Sequence, residues 1–528
     1  MARIVVIGAG LGAMATAARL AVAGHRVTVY ERGRTYGGSA GRFERDGFGF
    51  DTGPDLVHLP AVYRDVFVKT GKEPLEALVD IAQVDPAVRH FFPDGTTVSL
   101  PNASRGGVVA ALEEALGTGL GERWGEFMNR ARDAWDRTRR PLLEEPLRAD
   151  WQVLGRDPYP SVPVKRLLRR TRRAGTLAEV AAWELADPRL AALLESYALA
   201  YGLDPRDAPA SAAVLPYLEQ TFGSWYVAGG TRELARALYE RCVARRVEFV
   251  FGAQVASVVE KDGRAVGVEL ADGTLAEADS VVAAVPPERL SALLGGRSAY
   301  GSQDAPPRGA APVGVAGRVR VFLALDGARE AGAVHRSVVH AAHREGRLAE
   351  VFDGAGPTGT SGAGGPGAGA TGAESPNPES APTVWVSRPD DPALRPGEGH
   401  EAVVLTATAP ARPGYDWLAP GVAERWADRM VAAAAAAVPG LAERIRWREI
   451  RTPADTAEVT GAGAGAVPAP ALAGRDGRFL APSNTTSLDG LYAAGGWAHP
   501  GGGVAHAGMS GALVAGLIVE GEGFRGSQ

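Results

Sequence analysis

The sequence predicts an α/β protein with two intertwined domains, and three observations lead there. The chain opens with an apolar strand, a glycine turn, a helix and a second strand. A helix-rich stretch follows, after which short alternating apolar segments return. A glycine-rich segment and an apolar helix come last. At 528 residues the chain is too long for one simple core, and 45% hydrophobic content suffices for a large one. A formal net charge of -5 lacks the basic excess of a general nucleic-acid binder. The bias toward Ala, Gly, Arg and Pro reads as coding composition. Cys242 is the only cysteine, which excludes an intrachain disulfide and a cysteine-based metal site and suits a reducing cytoplasm. Its helical context makes it a small buried hydrophobe rather than a catalytic thiol. The chain enters a strand at Arg3 without the pattern of a signal peptide. No apolar run approaches the ~20 residues of a spanning helix. The expectation is a cytoplasmic protein, soluble or peripheral on a membrane.

Taken in order, residues 3–7 read as a strand and 12–23 as a helix that closes near Gly24. Residues 26–30, with β-branched Val27, Thr28 and Val29, read as the next strand. Residues 59–220 are mostly helical in pattern. Strands are expected over 255–259, 265–270 and 280–284, with turns at Asp262-Gly263 and Asp272-Gly273. Residues 354–382 are nearly all Gly, Pro, Ala, Ser and Thr and read as a disordered insertion. The Gly/Ala/Pro tract 461–474 reads as a mobile loop. Residues 491–518 end in a glycine-interrupted apolar helix.

The first motif is Gly8-Ala9-Gly10-Leu11-Gly12-Ala13. Gly8 permits the tight turn, Gly10 lets the backbone approach a pyrophosphate, and Ala13 lets the helix pack on the sheet. The helix N-terminus offers unpaired N–H groups to the phosphate. Glu31 ends the second strand about 20 residues on, where a carboxylate accepts from ribose hydroxyls. Glu31 argues against a 2′-phosphate; Arg32 weakens that inference. A second glycine cluster, Gly37-Gly38-Ser39-Ala40-Gly41-Arg42, precedes Phe50-Asp51-Thr52-Gly53-Pro54. An extended FAD needs such a second close backbone approach; a nicotinamide cofactor does not.

With these motifs in place the chain resembles the bacterial-type phytoene desaturase family, within the broader amine-oxidase-like flavoproteins. Gly8 to Ala13 with Glu31, Gly37-Gly38, and Asp51 to Pro54 match that family's fingerprints. So do Gly223-Ser224-Trp225-Tyr226 with Gly229-Gly230, and Pro482-Ser483-Asn484. Residues 388–394 resemble its turn before the last strands. Residues 491–504, ending in Gly503-Val504, resemble the segment that passes the flavin ring. Ser39 departs from the family's usual arginine, and Arg42 is the candidate to supply the charge.

The resemblance implies a Rossmann-like FAD-binding domain over 1–60, 222–290 and 450–528. A discontinuous α+β substrate domain covers 61–221 and 291–449. It implies FAD contacts at Gly8, Gly10, Leu11, Gly12, Ala13, Glu31, Arg32, Gly38, Ser39, Arg42, Val255, Gly495, Gly496, Gly503 and Val504. It also implies an apolar isoprenoid substrate dehydrogenated at a –CH2–CH2– unit, with a hydride passing to flavin N5 and a proton leaving the adjacent carbon. No residue stands out as the proton acceptor, so the catalytic residue is unassigned, and the substrate region shows no evident polar anchor. Two rivals remain open: a polyene isomerase or saturase, and a flavin amine oxidase. Amine oxidases usually place an acid where this chain has Gly496, and an aromatic cage where it has Ala505-His506-Ala507. His335, His340 and His343 have no known ligand spacing, so no metal is expected. His499 reads as a loop histidine satisfied by backbone. Residues 162–173 interleave basic and aliphatic side chains, which suits either contact with an anionic membrane or a solvated face. The sequence does not indicate an oligomeric state.

Overall fold

β1 (Arg3–Ile7) buries four of its five residues, leads through Gly8 into α1 (Leu11–Val22), and returns as β2 (Arg26–Glu31). The computed structural model describes residues 1–148, 150–165, 171–300, 316–354 and 381–526. A hairpin of β3 (Arg42–Arg45) and β4 (Phe48–Asp51) follows, then α2 (Ala61–Gly71). β5 (Val88–Phe91) and β6 (Thr97–Leu100) precede the helices α3 (Leu120–Arg139), α4 (Pro188–Ala200), α5 (Val214–Phe222) and α6 (Thr231–Ala244). Next come β7 (Glu248–Phe251), β8 (Val255–Lys261), β9 (Arg264–Leu270) and β10 (Ser280–Ala283). β11 (Gly317–Asp326), β12 (Arg336–Val339), β13 (Val384–Ser387) and β14 (His400–Ala409) follow. The chain then runs through α7 (Val422–Ala434), β15 (Ile445–Arg451), β16 (Leu491–Ala493) and α8 (Val504–Glu520).

Two sheets organise these elements. The first has the order β7-β2-β1-β10-β16 and is parallel throughout. Its strands come from three distant stretches of chain, because α1, α6 and α8 bury their apolar faces on it. The second has the order β15-β11-β14-β13-β12-β5-β6 and is mixed. α7 covers one of its faces.

The helical reading of 59–220 needs correction, because β5 and β6 lie inside it. His90-Phe91-Phe92 alternates into the turn at Asp94-Gly95, and the hairpin extends the second sheet through β12. β15 also crosses the boundary expected at 450 and belongs to the second sheet. The tract 461–474, expected as a mobile loop, is exposed at Gly463 and Ala464 but docked at its C-terminal end. Ala471, Leu472 and Ala473 are buried, and the Gly502 N–H donates to the Ala469 carbonyl at 2.8 Å. Its small side chains let it dock on the Pro500–Gly502 backbone.

Cys242 is buried in α6; its thiol lies 3.2 Å from the Met14 carbonyl, and burial pushes its pKa up. Of the expected insertion, 355–380 lie outside the described residues. So do 166–170 within the basic stretch. There Val164–Lys165 pairs antiparallel with Thr171–Arg172, which is a ladder and not a helix. Arg172 pairs with Glu179, and Arg173 donates to the Ser161 carbonyl. Among the described residues no helix is long and apolar enough to cross a membrane.

Candidate functional site

The site grows from the β1–α1 turn. Gly8 takes φ +96°, and Gly10 caps α1 in extended conformation with no side-chain cap bond. The first turn of α1 carries no acid, so its free N–H groups face outward with the positive end of the helix dipole. A Cβ built on Gly10 meets nothing within 4 Å: the space a phosphate needs is open there. A Cβ on Gly12 would instead come 2.7 Å from Gly495 Cα and 2.9 Å from the Ala507 carbonyl oxygen. Gly12 is therefore the point where α1 meets the C-terminal segment, while Leu11 and Ala13 bury into the sheet core.

The second glycine cluster lies against the first. The Gly37 N–H donates to the Ala9 carbonyl at 2.8 Å, Gly37 bridges to Gly10, and a Cβ on Gly38 would stand 3.1 Å from Gly10 Cα. Arg232, at the start of α6, holds this loop through the Tyr36 carbonyl, the Thr35 hydroxyl and the face of the Tyr36 ring. Glu31 lies at the far end of the cleft. Its carboxylate accepts from the Ala9 N–H at 2.8 Å and the Gly33 N–H at 2.7 Å. The Gly252 and Ala253 N–H groups donate to the Gly33 and Glu31 carbonyls, which brings Val255 beside this corner. Two glycine loops packed against each other, open at Gly10 and with a carboxylate beside them, fit a dinucleotide that carries a pyrophosphate.

Two expected contacts turn elsewhere. Arg32 donates to the carbonyls of Glu458 and Val459, away from the glycine loops. Arg42 donates to the Gly229 and Ala393 carbonyls and pairs with Glu44 at 2.8 Å. Those carbonyls use its guanidinium, so it does not replace the charge missing at Ser39. The same region is clamped by Asp391, which accepts from the Gly229 N–H, the Tyr226 hydroxyl and the Ala393 N–H.

The C-terminal segment is pinned by Asn484 and Ser510. The Asn484 amide donates to the Ala493 and His499 carbonyls and to Ser510 Oγ, and that Oγ accepts from the Gly495 N–H at 3.0 Å. Gly496 packs on Pro468, and Gly503 caps α8 at φ +122°. His499 is fully buried, and its Nε2 lies 3.0 Å from the Glu145 carbonyl oxygen, an acceptor that fixes the proton on Nε2. Burial lowers its pKa to about 4. It is a loop histidine held by backbone.

A cavity enclosing about 1280 Å³ of non-atom space, part of it continuous with solvent, lies against Gly503, Val504, Ala505 and His506. Its other walls are the Asp51–Leu59 stretch, α4, α5, and the face of the second sheet opposite α7. It is far more polar than the sequence suggested. Arg318, Arg320 and Arg336 line it, with Asp51, Asp55 and Glu219. Burial, and then the charge of Asp55, raise the Asp51 pKa to about 7, against hydrogen bonds from Thr231. Burial works to raise that of Asp55 too, but Arg336, His335 and Ser387 outweigh it and hold it below the usual range. Arg318, Arg320, Arg336, Asp55 and Glu219 were not marked in the sequence, and Asp51 and His506 were read there only as parts of motifs, not as cavity groups. Arg318 and Arg320 alternate with valines on a strand, a pattern that does not say which face meets a cavity.

Among the described residues no group of three or more His, Cys, Asp or Glu could hold a metal ion. His340 stacks on Phe92 at 4.7 Å and bonds His90 at 3.0 Å in the protein interior.

The fold and the paired loops define a dinucleotide-binding flavoprotein, with FAD as its cofactor. Residues 13–340, more than half of the chain, match the family described as flavin containing amine oxidoreductase, and the chain belongs to that family. It is 31% identical over 287 residues to the 4,4'-diapolycopene oxygenase of a Methylomonas species, covering 53% of this chain and 55% of that protein. It is 32% identical over 317 residues to the hydroxyneurosporene desaturase of Cereibacter sphaeroides, covering 58% and 60%. The chain spans about half the length of the curated relatives it matches. Among solved structures, an oxidoreductase from Methanosarcina mazei shares the fold at 16% identity, with a TM-score of 0.59, over 97% of this chain and 99% of that one.

Proposed function

We propose that the protein is an FAD-dependent oxidoreductase that introduces double bonds into a long isoprenoid chain. The observation that carries this is the cavity set against Gly503–His506, where Leu56 and Leu59 join Leu215 and Leu218 of α5 in an apolar patch. The similarity to a carotenoid desaturase and a carotenoid oxygenase gives the substrate class. When bound, FAD supplies the acceptor for a hydride; the substrate loses that hydride and a proton and gains one C=C bond. The chain's own residues do the rest. The loops at Gly10 and Gly38 would hold the pyrophosphate, with Leu11, Gly12, Ala13 and Ser39 shaping the cleft. Glu31 would accept from the ribose, the backbone near Val255 would meet the adenine, and Gly495, Gly496, Gly503 and Val504 would pass the flavin ring. The apolar wall orients the chain and excludes water. Asp51, with its pKa near 7, is the cavity group best matched to take up a proton at neutral pH.

An amine oxidase is the second reading, favoured by Tyr197, Tyr201 and Trp385 in the same cavity. The protein would work in the cytoplasm, peripherally on the membrane that dissolves its substrate. Co-expression with a phytoene-producing pathway tests the reading. Products lighter by two hydrogens per step and absorbing at longer wavelength support it. Products of unchanged mass favour an isomerase.

A further inference from the structure

The cavity beside Gly503–His506 has two unlike walls. One side, where Leu56 and Leu59 meet Leu215 and Leu218, is largely apolar and is interrupted by Glu219; the sheet side carries Arg318, Arg320 and Arg336. Alternation along β11 makes the difference. Val319, Val321 and Leu323 point into the core under α7. Phe322 and Ala324, on the other face, pack against Phe48 and Phe50. Arg318 and Arg320 continue that second face into the cavity. Register sets their neighbours too: Arg318 pairs with Thr408 and Arg320 with Thr406, and both threonines line the same wall.

The charges of the cavity do not cancel locally. Glu219 pairs with Arg336 at 3.2 Å, and His58 stands 3.6 Å from it. Asp55 is held by the charge of Arg336 and by the Ser387 side chain, and Asp51 by Thr231. Arg318 and Arg320 make no ion pair among the described residues. Arg318 donates to the Ala200 carbonyl at the C-terminal end of α4, and Arg320 to the Thr52 carbonyl. Asp55 acts on both through space only. Burial lowers both pKa values, and Arg318 lowers that of Arg320 further, to about 9. Both remain cations at neutral pH. Two like charges on one face of a strand, in a cavity, are costly unless an opposite charge fills the space. A guanidinium fork matches a carboxylate.

We infer that Arg318 and Arg320 bind a carboxylate at one end of an otherwise apolar substrate chain. The inference rests on the proposed function only in taking this cavity as the substrate site, and it corrects the expectation of a site without a polar anchor. The test is calorimetric titration of the FAD-loaded protein with two matched pairs: all-trans-retinoic acid against retinol, and palmitate against hexadecanol. Each acid should bind about ten- to a hundredfold tighter than its alcohol, the range for hydrogen bonds to a charged group. Arg318→Met and Arg320→Met should abolish that preference while FAD content stays at the wild-type level. Should either lose FAD, Arg318→Lys and Arg320→Lys keep the charge without the fork and should narrow the preference. Equal binding of acid and alcohol, no binding of either pair, or a preference untouched by the substitutions would overturn the inference. So would a shifted flavin reduction potential with unchanged acid preference, because the charges would then serve the cofactor. If both acids are preferred but no polyene is oxidised, the carboxylate site stands and the isoprenoid reading falls.

Discussion

Gly10 and Gly12 stand two residues apart and do different work. Gly10 faces open space at φ -74°, a backbone conformation any residue adopts. Gly12 is closed in by Gly495 and Ala507. Gly10→Val should therefore leave the melting temperature of the cofactor-free protein nearly unchanged and abolish FAD retention. Gly12→Val should destabilise the fold itself by about 1–3 kcal/mol, the usual cost of overpacking. FAD released on denaturation, read beside a melt of the cofactor-free protein, separates the two. A Gly10→Val protein that still carries FAD would contradict the pyrophosphate assignment. The sequence motif alone marked all of Gly8 to Ala13 as one unit; only packing assigns Gly12 to the contact with the C-terminal segment. Arg42 shows the converse. Its charge suggested a cofactor contact, but the carbonyls of Gly229 and Ala393 already use it.

Elements with a strong local period were legible. β1, α1, β2, β8, β9, β10 and α8 fall within a few residues of their expected bounds, because alternation, turn glycines and apolar faces are local signals. β5 and β6 were missed because short strands in a helix-rich region declare themselves only by pairing, β5 with β12 and β6 with β5. The cavity was illegible for a related reason: its arginines come from β11 and β12, its carboxylates from the end of β4, the stretch after it and α5, and only tertiary structure joins them. Residues 162–173 remain the candidate membrane contact in the sequence, and vesicles test it. Changing Arg169, Arg170, Arg172 and Arg173 to Gln should reduce co-sedimentation with anionic liposomes, at about 1 kcal/mol per basic residue near the surface. Added salt should weaken the wild type in the same way, and equal pelleting of both proteins would reject this contact.

Across the whole molecule, five histidines are held neutral: His90, His340 and His499 are buried, and His335 and His506 are half-buried. Burial lowers His335, His499 and His506 to about 4, His340 to about 3, and His90 well below its ordinary value. In the unfolded chain they titrate near 6.5. As pH falls below 6.5 the unfolded state takes up protons that the native state refuses, so their stability is present above 6.5 and lost down to about 4. Asp51 at about 7 and Asp157 at about 6 act oppositely: they stabilise fully below the unfolded carboxyl value of about 4 and lose that stability as pH rises from there to their folded values. Glu195 acts with the two aspartates and His25 with the five histidines, so the histidines outnumber the carboxyls and acid is the losing direction: the melting temperature should fall between pH 6.5 and 4.5, and His340→Phe should lessen the fall. A flat or rising profile would count against the buried neutral set. The joined glycine loops, the pinned C-terminal segment and the cavity between the second sheet and helices α4 and α5 all serve one proposal, that this flavoprotein oxidises an isoprenoid chain. Anaerobic mixing of the oxidised FAD-loaded protein with phytoene in liposomes tests it most directly. The account predicts that flavin absorbance bleaches as a longer-wavelength polyene band rises at the same rate; a flavin that stays oxidised with every polyene, yet bleaches with a primary or secondary amine, would contradict it.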